Sequence, residues 1–293
     1  MKPSQSVFHT IRGLRYHVRT WGNPGAPKLF MLHGWMDVSA SFQFLVDALK
    51  HDWHVIAPDW RGFGETDWAP GNYWFPDYYA DLDALLDIYE PHAPINLIGH
   101  SLGGNIASNY SGIRPQRVTR LASLEGFGWH RMTPDMAPRH FGRWLDELKS
   151  PPAFRAYRSF DEVEQRMIKS NPRLQPARAR FLARHWAKET GPGEVVLRSD
   201  PRHKMINPVL NRVEESVACW RKITAPVLWV HGKDSDAAAW KKDTPEQIAE
   251  RRAAFGRLTE HFLDDAGHMM HHDQPEKLAA IIEDFLAQPS SPA

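Results

Sequence analysis

Short apolar runs alternate with segments of helical spacing over both ends of the 293-residue chain. Around Arg12-Gly13, the residues Leu14, Tyr16 and Val18 fall two apart, the period of a half-buried strand, and predict a hairpin. After Gly22-Asn23-Pro24-Gly25, residues 28–32 (Lys-Leu-Phe-Met-Leu) form a short continuous apolar run that ends in His33-Gly34. Such a run predicts a strand covered on both faces, the habit of parallel sheets. Phe42, Leu45, Val46 and Leu49 recur at helical spacing behind Ser39 or Ser41 as N-cap. Residues 54–57 predict another strand, stopped by Pro58, and Leu82, Leu85, Leu86 and Tyr89 mark a helix over 78–89. Residues 95–98 and 118–124 predict two more buried strands, the first followed at once by a helix.

Near Gly126 the rhythm stops. Residues 128–221 are Arg-rich, Trp-bearing and broken by prolines, without an apolar strand like the earlier ones. It resumes with strands over 226–230 and 260–263 and helices over 245–255 and 275–286. The pattern predicts an α/β fold: a mostly parallel sheet with flanking helices, built from residues 1–127 and 222–293. Residues 128–221 are then a mainly helical cap inserted over one sheet edge.

Composition narrows the function. A net charge of +1 gives no global field for nucleic acid or an anionic membrane. No run approaches the ~18 apolar residues of a spanning helix, and residues 1–7 lack the apolar core of a signal peptide, so a cytoplasmic location is expected. A single cysteine, Cys219, excludes an internal disulfide and a cysteine-based zinc cluster.

Gly99-His100-Ser101-Leu102-Gly103-Gly104 lies between a predicted strand and a predicted helix. Small residues there permit a sharp turn that lifts the Ser101 hydroxyl above the carboxyl edge of the sheet, where open α/β sheets bind ligands. A serine needs a base, and the base needs an orienting carboxylate. Among 16 histidines, His268 lies just past the last predicted strand and returns to the same edge. His100 is expected to point into the core and His33 to bind backbone beneath the site. His271 and His272 stand near His268, but no separate carboxylate or cysteine cluster completes a metal site, so no metal is expected. Two carboxylates compete as acid. Asp234, two residues past Gly232, is preferred because its loop approaches a histidine freely; Glu125, directly after strand 118–124, is the alternative. The oxyanion donors expected are the N–H groups of Leu102 and of Trp35, in the loop after the first buried strand.

These pieces resemble the α/β-hydrolase-fold serine hydrolases. The resemblance rests on His33-Gly34-Trp35, Asp59-Trp60-Arg61-Gly62-Phe63-Gly64, the Ser101 motif, Gly232-Lys233-Asp234, Gly267-His268 and the Asp273-x-Pro275 step. It implies a Ser101–His268–Asp234 triad, with Glu125 at a position some members use for the acid, and no cofactor. It also implies an acyl-enzyme route on a small-molecule ester or related acyl compound. Lactone or carbon–carbon hydrolysis on the same triad, and a non-catalytic small-molecule receptor, are the alternatives. Serine at the turn argues against the aspartate-dependent dehalogenases and epoxide hydrolases. In the cap, Trp129, Trp144 and Trp186 either line an apolar pocket or pack the cap onto the core. The arginine excess either attracts an anionic substrate or faces solvent.

Overall fold

The computed structural model describes residues 1–236 and 243–289. An eight-stranded sheet has the order β1-β2-β4-β3-β5-β6-β9-β10. Its strands are β1 (Ser4–Ile11), β2 (Leu14–Trp21), β3 (Lys28–Leu32), β4 (His54–Pro58), β5 (Ile95–His100), β6 (Val118–Leu124), β9 (Val227–Gly232) and β10 (Leu258–Leu263). The β1–β2 hairpin turns at Arg12-Gly13 as the alternation predicts, and β2 runs antiparallel to β4; the remaining pairs are parallel. In-register pairing of Leu32 with Gly99, His100 with Leu124, Leu124 with Val230 and Leu263 with Gly232 brings five strand ends to one edge. The residues just past those ends therefore share one surface.

Both sheet faces are covered, which is why the central strands read as unbroken apolar runs. Helices α2 (Phe75–Tyr89), α3 (Leu102–Ile113) and α7 (Val213–Trp220) contribute Leu82, Ile106 and Trp220 to one core. Helices α1 (Gln43–Ala48), α9 (Met270–Asp273) and α10 (Pro275–Ala287) contribute Leu45, Met270 and Ile282 to the other. A single 3-10 turn, Ser39–Phe42, precedes α1, so neither Ser39 nor Ser41 caps it. Helix α8 (Pro245–Ala253) begins with a capping box between Thr244 and Gln247.

The stretch between β6 and β9 carries α4 (Ala137–Lys149), α5 (Phe160–Ser170), α6 (Pro176–Trp186) and the hairpin β7 (Ala187–Gly191)–β8 (Glu194–Leu197). The hairpin escapes an apolar-run search because β7 after Ala187 is Lys-Glu-Thr-Gly and mostly exposed. Val163, Met167, Leu182 and Val195 form a small separate core for α5, α6 and the hairpin. The far end of the stretch, α7, instead packs into the main core, so the sheet's own packing resumes before residue 222. Two devices pin the insertion. Asp200, 1% exposed, accepts from Tyr73 Oη at 2.7 Å and Arg202 Nε at 2.8 Å, and His203 stacks between Phe63 and Tyr73. At the entrance, the buried Arg251 of α8 donates to the carbonyls of Phe127 (2.8 Å) and Trp129 (2.7 Å) and is neutralised by Asp243.

Candidate active site

Ser101 occupies φ 50°, ψ −114°, a region side chains avoid at a cost of about 1–3 kcal/mol. The turn is possible because Gly103 sits against β3: a Cβ there would lie 2.1 Å from the Leu32 carbonyl oxygen. Helix α3 thus starts immediately behind the serine. Leu102 is its first residue, so the Leu102 N–H has no acceptor inside the helix and is available to an anion. Across from it, the loop after β3 touches the serine, since a Cβ on Gly34 would lie 3.3 Å from Ser101 Cβ. Trp35 follows, half-exposed, and lines the cavity. Of the five non-glycine residues with positive φ among the described residues, Met36, Ser101 and Glu125 all border this site.

His268 and Ser101 line the same cavity, of about 380 Å³. His268 Nδ1 faces Glu125 Oε2 at 3.4 Å. Glu125 is buried, and its carboxylate is held by three groups: Oε1 accepts from Gly232 N (2.8 Å), and Oε2 from Ser235 Oγ (2.7 Å) and, at the longer distance, the imidazole. Asp234, preferred on the sequence, points elsewhere. Its Oδ2 accepts from Arg173 at 2.8 Å in a pair whose side chains are 42% and 46% exposed. The loop freedom that favours Asp234 on paper also lets Arg173, between α5 and α6, take it. The separation of 3.4 Å between His268 and Glu125 is long for a hydrogen bond.

A family model described as the alpha/beta hydrolase fold matches residues 27–275. The chain belongs to the α/β-hydrolase fold family. It is 27% identical to a serine hydrolase-like protein of Danio rerio over 94% of this chain and 85% of that one. It is likewise 27% identical to a 3-hydroxybutyrate-oligomer hydrolase of Cupriavidus necator, over 94% and 93%. Among solved structures, the thioesterase domain from the curacin biosynthetic pathway superposes with a TM-score of 0.84 at 21% identity, covering 96% of this chain and 99% of that one. No helix among the described residues is long and apolar enough to cross a membrane.

Beneath the cavity, this α/β hydrolase has a buried polar floor. His33 behaves as expected: Nδ1 donates to the Gly34 carbonyl (2.7 Å) and Nε2 accepts from Trp60 N (2.8 Å). His100 points inward, donating from Nε2 to the His268 carbonyl at 2.8 Å. Burial, reinforced by His271 and His268, pushes His100 well below the usual imidazole range, so it stays neutral and serves as a strut under the loop that carries His268. His271 and His272 share Ser41 Oγ (3.2 and 2.5 Å), and burial holds His272 neutral too. The carboxylate that a sequence search does not find beside them is Asp37, with Oδ2 3.7 Å from His271 Nε2. Burial raises the Asp37 carboxyl, but the neighbouring imidazoles of His271, His272 and His33 outweigh it and hold it below the usual range. Asp37, His100 and His271 are the group among the described residues whose ligand atoms converge enough, within 4.8 Å, to hold a metal ion. Asp37 also accepts from Trp186 Nε1 at 2.9 Å, tying α6 to the floor. Of the three tryptophans Trp129, Trp144 and Trp186, Trp186 lines the cavity, whereas Trp129 packs edge-on against Phe75 and Trp144 lies on α4 away from it.

Proposed function

We propose that the protein hydrolyses a carboxylic ester or related acyl bond of a small molecule through an acyl-enzyme on Ser101. The observation that carries this reading is the left-handed Ser101 at the start of α3, sharing a cavity with a histidine backed by a buried carboxylate. His268 takes the hydroxyl proton as Ser101 Oγ bonds to the acyl carbon. The oxyanion is received by the N–H groups of Trp35 and Leu102. Collapse breaks the bond to the alcohol, which leaves with the proton from His268. A water then gives its proton to His268, its oxygen bonds to the acyl carbon, and the acid departs as Ser101 recovers its proton. Glu125 is the third member in this scheme, orienting the imidazole through Nδ1 and stabilising its protonated form; Asp234 is an exposed ion-pair partner of Arg173. Every proton is carried by the chain or by water.

A fluorophosphonate probe and a series of p-nitrophenyl esters from acetate to palmitate test the reading. The expected result is labelling of the wild type, none of Ser101→Ala, and a loss of at least ~10³ in kcat for Ser101→Ala and His268→Ala with folding retained. Near-native turnover in either variant, or an unlabelled wild type, removes the acyl-enzyme. The second of these outcomes would favour a receptor on a hydrolase fold.

A further inference from the structure

Helix α5 presents Val163, Arg166, Met167 and Ser170 to the cavity that holds Ser101, the i, i+3, i+4, i+7 face of one helix. Val163 and Met167 are buried, while Arg166 is exposed, so the wall changes from apolar to cationic as it leaves the floor. Phe154, Leu197, Arg166 and Lys204 also line an adjoining open recess, which adds Arg155 and Lys169. Cavity and recess therefore share a wall.

Four cations meet in that recess against one carboxylate, Glu162, whose Oε2 already accepts from Arg158 N at 2.9 Å. Several other cations of the insertion do have acidic partners, Arg143 with Glu147, Arg173 with Asp234, Arg178 with Glu276, Arg180 with Glu164 and Arg202 with Asp200. Among the described residues, none of Arg155, Arg166, Lys169 and Lys204 has an acidic partner. Arg166 and Lys204 lie instead over the rings of Tyr157 (5.9 Å) and Phe154 (4.6 Å), which orient them without neutralising them.

We propose that the substrate carries an anionic group, carboxylate or phosphate, which Arg166 and Lys204 receive at the cavity mouth while its acyl bond lies at Ser101. This rests on the acyl-hydrolase reading for the bond, but not for the anion site. Arg155 and Lys169 extend the positive field and draw the substrate in from solution.

Two matched pairs distinguish the anions: p-nitrophenyl hemiglutarate against p-nitrophenyl valerate, and butyryl-coenzyme A against the butyryl thioester of N-acetylcysteamine. In at least one pair the anionic member should have kcat/KM at least ~30-fold higher, which corresponds to about 2 kcal/mol. The double substitution Arg166→Ala/Lys204→Ala should lower that ratio at least ~10-fold, through KM. The preferred pair names the anion. Isothermal titration of glutarate and of coenzyme A, which are not turned over, should show Kd at least ~10-fold weaker in the double variant. Ratios near one in both pairs, or a ratio and a Kd indifferent to the double substitution, overturn the anion site while leaving a probe-labelled Ser101 in place. An unlabelled Ser101 with the Kd effect intact overturns the hydrolase reading and leaves the anion site standing.

Discussion

The ends of β6 and β9 are neighbours in the sheet, and each is followed within two residues by a carboxylate. Their surroundings are opposite. Glu125 turns inward from a strained backbone (φ 55°) and, itself buried, meets an amide, a hydroxyl and an imidazole. Asp234 turns outward and meets one solvent-washed arginine. A carboxylate in the first setting can hold a fixed geometry and feel its charge weakly screened; one in the second cannot. Position along the chain is therefore a poor guide to which carboxylate orients a histidine, and the environment at the strand end decides.

Three substitutions probe the contrast. The largest effect is expected of Glu125→Gln, which keeps size but removes the charge that stabilises protonated His268. A kcat loss of about 10³–10⁴ is expected in ester turnover. Ser235→Ala removes a donor to Glu125 Oε2 and leaves a buried carboxylate short of a partner. Urea unfolding should show a loss of about 1–3 kcal/mol, with a smaller drop in kcat than Glu125→Gln gives. Asp234→Asn should be the mildest, below ~3-fold in kcat and below ~1 kcal/mol in stability, because an exposed pair is screened. A crippled Asp234→Asn beside a nearly active Glu125→Gln would reverse the assignment.

Much of this site was legible because it lies at strand ends. The apolar runs at Lys28–Leu32, Ile95–His100 and Val118–Leu124 marked the strands, and Ser101 and His268 follow from where strands stop. The acid was not, because the choice depends on side-chain direction at two adjacent ends. For Asp234 that direction is taken up by Arg173, 61 residues away in sequence. Asp37 was missed as a floor residue for the same reason: its partners Trp186 and His271 come from the insertion and from beyond β10. The polar run Arg198–Lys204 carried no periodic signal, since its work is to anchor the insertion through Asp200 and His203. The β7–β8 hairpin was hidden by its exposure, since a strand with little buried surface has no hydrophobic period to read.

The Arg251 clamp fixes where movement can begin. By holding the carbonyls of Phe127 and Trp129 from α8, it removes rotational freedom from the chain as it leaves the sheet. The first pivot open to the insertion then lies beyond Trp129, at least four residues past Glu125. At this end of the insertion the backbone that carries Glu125 is thus held apart from any bending of the chain beyond Trp129.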